Sequence, residues 1–74
     1  MVPLRPLPYR EVKRKLEAAG FRIISQSGSH VKFTKQTETG TLITIVPVHR
    51  EIALGTLRGI LRQAGLTPEV FESL

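Results

Sequence analysis

Apolar and polar positions along the chain follow two periods. Tyr9, Val12, Leu16 and Ala19 recur at helical spacing, while Arg10, Glu11, Lys13, Arg14, Lys15 and Glu17 fill the other faces. Pro8 suits the first helical position, which needs no backbone N–H. Gly20 suits the stop, because glycine takes the left-handed conformation after a last turn. Leu7 offers no capping oxygen, so the helix starts without a side-chain cap. Three strand-like runs follow: FRIIS from Phe21, HVKFTK from His30 and TLITIV from Thr41. The turn QSGS separates the first two, and Pro47, which has no N–H for a ladder, ends the third. A second helix is predicted from Leu57, Ile60, Leu61 and Ala64, closed by Gly65. Thr67-Pro68-Glu69 reads as cap, first-position proline and acidic first turn of a short terminal helix around Val70.

Each helix carries one apolar stripe and the sheet one apolar face. The economical packing sets both helices on that face and leaves the other to solvent. This is an α+β two-layer sandwich, α-β-β-β-α, with a three-stranded antiparallel sheet. Register follows from the second hairpin. A three-residue loop of Glu38, Thr39 and Gly40, with Gly40 left-handed, sets Phe33 opposite Ile45 and Lys35 opposite Ile43. Val31, Phe33, Ile43 and Ile45 are then buried, and His30, Lys32 and Thr34 share the wet face. A loop one residue different would bury Thr44 and expose both isoleucines.

A chain of 74 residues is read as one domain, 1–74, with residues 1–7 and their two prolines as an extended arm. The absence of cysteine excludes disulfides, thiolate metal sites and a cysteine nucleophile. Two histidines without cysteine do not make a structural zinc site, which usually takes about four protein ligands. Neither a metal nor any other cofactor is implied. No apolar run approaches the roughly 18–20 residues of a membrane span, and the N-terminus lacks the apolar centre of a secretory signal. A cytoplasmic protein is expected. The net charge of +5 favours an anionic partner, nucleic acid above all, over a membrane surface. No helix-turn-helix spacing points to DNA.

The stretch SQSGSHVKF, residues 25–33, places His30 where a small polar turn meets a strand. Taken alone, such a histidine is either a strand-end residue that hydrogen-bonds locally or an acid/base group. Two further stretches join it. EAAGF closes the first helix, and TIVPVHREIALGTLRGILRQAGL runs from the third strand through the second helix. Together with GSHVKF, and in this order, they resemble the HicA family of small toxins over about Tyr9 to Phe71. The resemblance implies a fold like the double-stranded-RNA-binding domain. It implies an RNA-cleaving toxin of a toxin–antitoxin pair, an mRNA interferase, held inactive by a HicB antitoxin. It also implies that the family's catalytic histidine is His30, within Gly28-Ser29-His30. The family usually opens the first helix with a Ser-like cap. Leu7-Pro8-Tyr9 departs from that pattern at the helix entry.

Metal-independent RNA cleavage requires a 2′-OH to lose a proton and a 5′-oxygen to gain one. Imidazole suits either step, since its ordinary pKa lies near ~6.5. Two transfers usually call for two groups, and His49, whose segment lies opposite Gly28 to His30, is the candidate second one. The other reading of His49 is a residue that fixes the turn into the second helix. The amides of Gly28 and Ser29 are placed to meet a phosphate oxygen, and Lys32 shares the face of His30. Arg10, Lys13, Arg14 and Lys15 form a basic patch on the first helix, and Arg58 and Arg62 lie together on the second. Each is a candidate phosphate contact or a solvated face residue. The alternative function is a non-catalytic RNA-binding module of the same fold.

Overall fold

The computed structural model describes residues 3–74. Its elements are α1 (Tyr9–Ala18), β1 (Arg22–Ser27), β2 (His30–Thr37), β3 (Gly40–Pro47), α2 (Leu54–Ala64) and α3 (Pro68–Glu72). The strands form one antiparallel sheet in the order β1-β2-β3, so β2 is central. Val12 and Leu16 of α1, Leu57, Ile60 and Leu61 of α2, and Phe71 of α3 close over Val31, Phe33 and Val46 of the sheet. Each such large side chain contributes about 1.5–3 kcal/mol when fully buried. The other sheet face is open. The expected α+β two-layer sandwich, with its helices on one face, is the observed fold.

The glycine stops act as the sequence requires. Gly20 takes φ +99° after α1. Its N–H donates to Glu17 O at 3.0 Å, and the next N–H, of Phe21, donates to Leu16 O at 2.9 Å. This paired closure satisfies two carbonyls that the helix end leaves over. After α2, Gly65 (φ +68°) and Leu66 repeat it with Arg62 O and Leu61 O. Thr67 caps α3, its hydroxyl oxygen accepting from Val70 N at 3.1 Å.

The register of β2 against β3 differs by one residue from the expected one. The turn is the two-residue Glu38-Thr39, with Thr37 opposite Gly40, and Phe33 faces Thr44 rather than Ile45. Gly40 keeps its expected positive φ of +136°. Since side chains alternate with period 2, the slip exchanges the faces of β3. Val46 and Thr44 turn inward, and Ile43 and Ile45 turn outward, 46% and 47% exposed. The reason is legible in β3 itself. Leu42, Thr44 and Val46 are nearly as apolar a set as Ile43 and Ile45 with Pro47, so hydrophobicity barely separates the two registers. The buried hydroxyl does not oppose the observed one, because Thr44 Oγ1 donates to Gln63 Oε1 of α2 at 2.9 Å.

Phe21 is buried just ahead of β1, but the strand itself is exposed along its length. A bulge between Ile23 and Ser25 interrupts its alternation. The turn into β2 is the two residues Gly28-Ser29 alone, with Ser27 opposite His30. Ahead of α1, Leu7 is buried and exchanges two backbone hydrogen bonds with Ile52, so the expected arm is anchored at its end. Its first residues, Met1 and Val2, lie outside the described residues.

Lys15 does not belong to a surface basic patch. It is 7% exposed, and its ammonium donates to Phe71 O (3.1 Å), Glu72 O (3.4 Å) and Leu74 O (3.1 Å), 5.2 Å from the centroid of the Phe71 ring. Position 15 adjoins the Val12–Leu16 stripe, and its long stem carries the charge to the carbonyls left over by α3. Lys15→Met keeps the stem and removes the donors. It should destabilise the fold by about 2 kcal/mol, the scale of hydrogen bonds from a charged group. Urea denaturation of the two proteins checks this, with the midpoint lowered and the slope unchanged.

Candidate active site

His30 is the first residue of β2, between Ser27 on β1 and Pro47 on β3. It is exposed and makes no side-chain hydrogen bond to any of the described residues. The turn that delivers it is built locally. Gly28 has φ +58°, the conformation that the first central position of a tight hairpin turn requires. The Gln26 side-chain amide donates to Gly28 O at 3.0 Å and braces the turn. A Cβ at Gly28 would have nothing within 4 Å, so the backbone needs this glycine and the space around it is open.

Lys32 follows on the same side of β2, half-buried, flanked by Ser25 and Ile45. Thr34 comes next, between Arg22 and Ile43. By strand alternation the open face therefore carries His30, Lys32 and Arg22, with Ser25, Ser27, Gln36 and Thr41; Thr34, expected to be wet, has the same parity but is buried, its hydroxyl donating to Leu42 O at 3.2 Å. All six acidic residues lie elsewhere: Glu11 and Glu17 on α1, Glu38 at the hairpin tip, Glu51 in a loop, and Glu69 and Glu72 on α3. Arg22 was not singled out by the sequence; its place on this face depends on pairing with Thr34.

His49 comes to the same end of the sheet. Pro47 was expected to release the chain, but Val48 N donates to Ser29 O at 2.6 Å, one step beyond the His30–Pro47 pair. The two histidines thus each adjoin a residue of one hydrogen bond. The backbone of His49 is held at both ends, its N–H by Pro47 O and its carbonyl by the N–H of Tyr9, each at 3.0 Å. That last bond also accounts for the unusual entry of α1. Pro8 supplies no side-chain cap, and the first helical N–H finds the His49 carbonyl instead. The imidazole of His49 is exposed.

The predicted phosphate contacts divide. Arg10, in the first turn of α1 beside Tyr9, is exposed and in no ion pair among the described residues. Lys13 instead pairs with Glu17 at 3.0 Å, and Arg14 with Glu11 at 2.7 Å, so their charge is met within the helix. Arg58 and Arg62 are exposed on α2, in the helix layer, and are not gathered with His30. Lys35 turns toward the helix side, its ammonium 5.9 Å from the centroid of Phe21. No three of the His and Glu side chains described here come together in a metal-binding group. No helix among the described residues is long and apolar enough to cross a membrane.

The family model described as HicA toxin of bacterial toxin-antitoxin matches residues 9–66. The chain belongs to the HicA toxin family. The match takes in α1, the whole sheet, the His49 loop and α2, and leaves α3 outside. Comparison with the curated proteins gives no match. As a HicA-family toxin the chain is one component of a toxin–antitoxin system, and the histidine turn, the sheet and the loop all fall within the matched span.

Glu11 titrates below the ordinary carboxylate range, chiefly because Arg14 hydrogen-bonds its charged form, with the nearby positive charges adding to the effect. A lowered pKa in the folded state gives a contribution that is present above the unfolded pKa. It is lost as pH falls through the folded one. In Arg14→Ala the Glu11 midpoint should rise to the ordinary range, which carboxyl NMR titration reads directly.

Proposed function

We propose that this HicA-family toxin is a metal-independent endoribonuclease that cleaves mRNA in the cytoplasm, with His30 as its acid/base group and a HicB-type antitoxin as its inhibitor. The observation that carries this reading is the exposed imidazole of His30 at the rigid start of β2, on a sheet face with Lys32 and Arg22 and no acidic side chain. An RNA backbone laid on that face meets positive charge and a titratable group without repulsion. In the reaction the 2′-oxygen attacks the adjacent phosphorus as its proton leaves. The P–O5′ bond breaks and the 5′-oxygen takes up a proton. His30 performs one of these transfers. His49, tied to the same sheet end through Val48 and Ser29, is the candidate for the other. The N–H groups of Gly28 and Ser29 are the candidate donors to a phosphate oxygen, and Lys32 holds its charge.

Supporting contacts follow from the free cations. Arg10 follows Tyr9, whose N–H donates to the His49 carbonyl, and is the candidate contact for an RNA strand leaving His30 along that edge. Arg58 and Arg62 contribute to the general attraction of the surface, while Lys13 and Arg14 are already satisfied by glutamates. Aromatic platforms do not enter the mechanism. Phe21 and Phe33 are buried, so base stacking is not how this face reads its substrate.

His30→Ala should lower RNA cleavage by about 10²–10⁴-fold, the usual contribution of a positioned acid or base, with the fold intact and EDTA without effect on either protein. Equal cleavage by wild type and variant would remove His30 from the mechanism. RNA binding by both without cleavage would make the protein a non-catalytic RNA-binding module. The pH–rate profile should be bell-shaped, and His49→Ala should remove one limb of it. Lys32→Ala should reduce the salt dependence of RNA affinity by a slope of about 0.7, the value for one lost phosphate contact on a single strand, whereas Lys13→Ala should leave the slope nearly unchanged.

A further inference from the structure

The turn ahead of β2 contains one peptide, between Gly28 and Ser29, whose direction the strand ladder leaves free. A two-residue hairpin loop takes either of two turn types, which differ by reversal of this middle peptide. Type I′ needs a positive φ at both central residues, and type II′ only at the first. Gly28 has φ +58°, and among the described residues only glycines have a positive φ, so Ser29 has none and the turn is type II′. A second contact holds the same choice. Gln26 pairs with Val31, which is buried under the helices, so its side chain leaves β1 on the helix side of the sheet, though exposed there. Its Nε2 donates to Gly28 O at 3.0 Å, and that carbonyl is therefore turned to the helix side. The peptide is trans and planar, so its N–H points opposite to its carbonyl. The Ser29 N–H is thus turned to the open face, where the paired Ser27 and His30 stand. It donates to no group among the described residues, whereas the Ser29 carbonyl is occupied, accepting from Val48 N at 2.6 Å.

We propose that Gln26 is a positioning residue of the RNA-cleaving site: by holding Gly28 O on the helix side, it aims the Ser29 N–H at a nonbridging oxygen of the phosphate presented to His30. The inference rests on the nuclease reading above and gives one of its candidate amide donors a direction and a cause. As the 2′-oxygen bonds to phosphorus, negative charge builds on the nonbridging oxygens before the P–O5′ bond breaks. An N–H already fixed toward that charge stabilises it more than one that must turn to reach it. Ser29 adjoins His30 in the chain, so the donor and the acid/base group address one phosphate together. Gln26 touches neither the phosphate nor the imidazole and acts only through the turn. Without its donor the middle peptide is free to rock, because glycine at position 28 resists neither direction.

The test measures kcat and KM for RNA cleavage in wild type, Gln26→Met, Ser29→Pro, Ser29→Ala and the double variant Gln26→Met/Ser29→Pro. Methionine matches the length of glutamine without its donor. Proline suits the second central position of a type II′ turn and removes the N–H in question, and Ser29→Ala, which loses the hydroxyl alone, is its reference. Both side chains are exposed, so the fold should persist; circular dichroism and thermal melting verify it. Relative to Ser29→Ala, Ser29→Pro should lower kcat by about 10²–10³-fold, the usual effect of deleting such a donor. Gln26→Met loosens the donor without deleting it and should lower kcat by about tenfold, with KM within about twofold of wild type. On top of Ser29→Pro the same change should alter kcat by less than about twofold, because no amide is left to aim. Losses that multiply in the double variant would make Gln26 an independent brace of the fold and overturn the proposal, as would an unchanged kcat in Gln26→Met. A second measurement needs no cleavage. An RNA oligonucleotide with 2′-O-methyl riboses, which cannot be cut, should move the Ser29 amide proton downfield in NMR spectra of the wild type and much less in Gln26→Met. An unmoved Ser29 amide, or the same shift in both proteins, would overturn the proposal. Absence of cleavage by wild type, with the Ser29 shift present and dependent on Gln26, would sink the nuclease reading and leave the positioning role standing.

Discussion

The arrangement depends above all on how β3 is registered against β2. The pairs His30–Pro47, Val31–Val46 and Phe33–Thr44 are steps of one ladder, and the Val48–Ser29 hydrogen bond extends it by one residue. A slip of one residue would exchange the two faces of β3. The isoleucines would then enter the core, Val46 would leave it, and the segment leading to His49 would move relative to His30. The composition of the core, the character of the open face and the proximity of the two histidines are therefore one structural decision. It is held at one end by the Glu38-Thr39 turn and at the other by the loop after Pro47.

That loop links the layers. Through Val48 it is bonded to the turn carrying His30, through the His49 carbonyl to the first amide of α1, and through Ile52 to Leu7. The start of α1, which lacks a side-chain cap, is completed by the segment that carries the second histidine. A local deficiency of the sequence is thus supplied by a tertiary contact near the candidate site. At the other end of the chain, Lys15 does comparable work for α3, satisfying carbonyls that a helix of five residues cannot satisfy within itself.

The charge of the molecule is distributed unevenly. On α1, Lys13 and Arg14 are offset by glutamates one turn away, and Lys15 is consumed inside the fold. The open sheet face keeps its positive groups without any acid. A net charge read from composition therefore overstates how basic α1 is and does not locate the basic surface. The face with the histidine is the one where positive charge stays available to an anionic partner, and it is also the face with exposed isoleucines.

The sequence by itself determined what depends on near neighbours. Helical spacing, strand alternation and the positive-φ glycines that close the two longer helices, Gly20 and Gly65, gave the order of the elements and the ends of α1 and α2, because the forces that form a turn act within a few residues. Strand parity put His30 and Lys32 on one face, and the GSH step and the second-helix stretch carried the family. Only the tertiary structure decided the register, since β3 offers two faces of nearly equal hydrophobicity and the choice rests on turn length and on Gln63 meeting Thr44 from α2. The burial of Lys15, the withdrawal of Lys13 and Arg14 into ion pairs, the place of Arg22 and the tethering of His49 were settled there as well. Each turns on partners, or on a choice among faces, that periodicity does not specify.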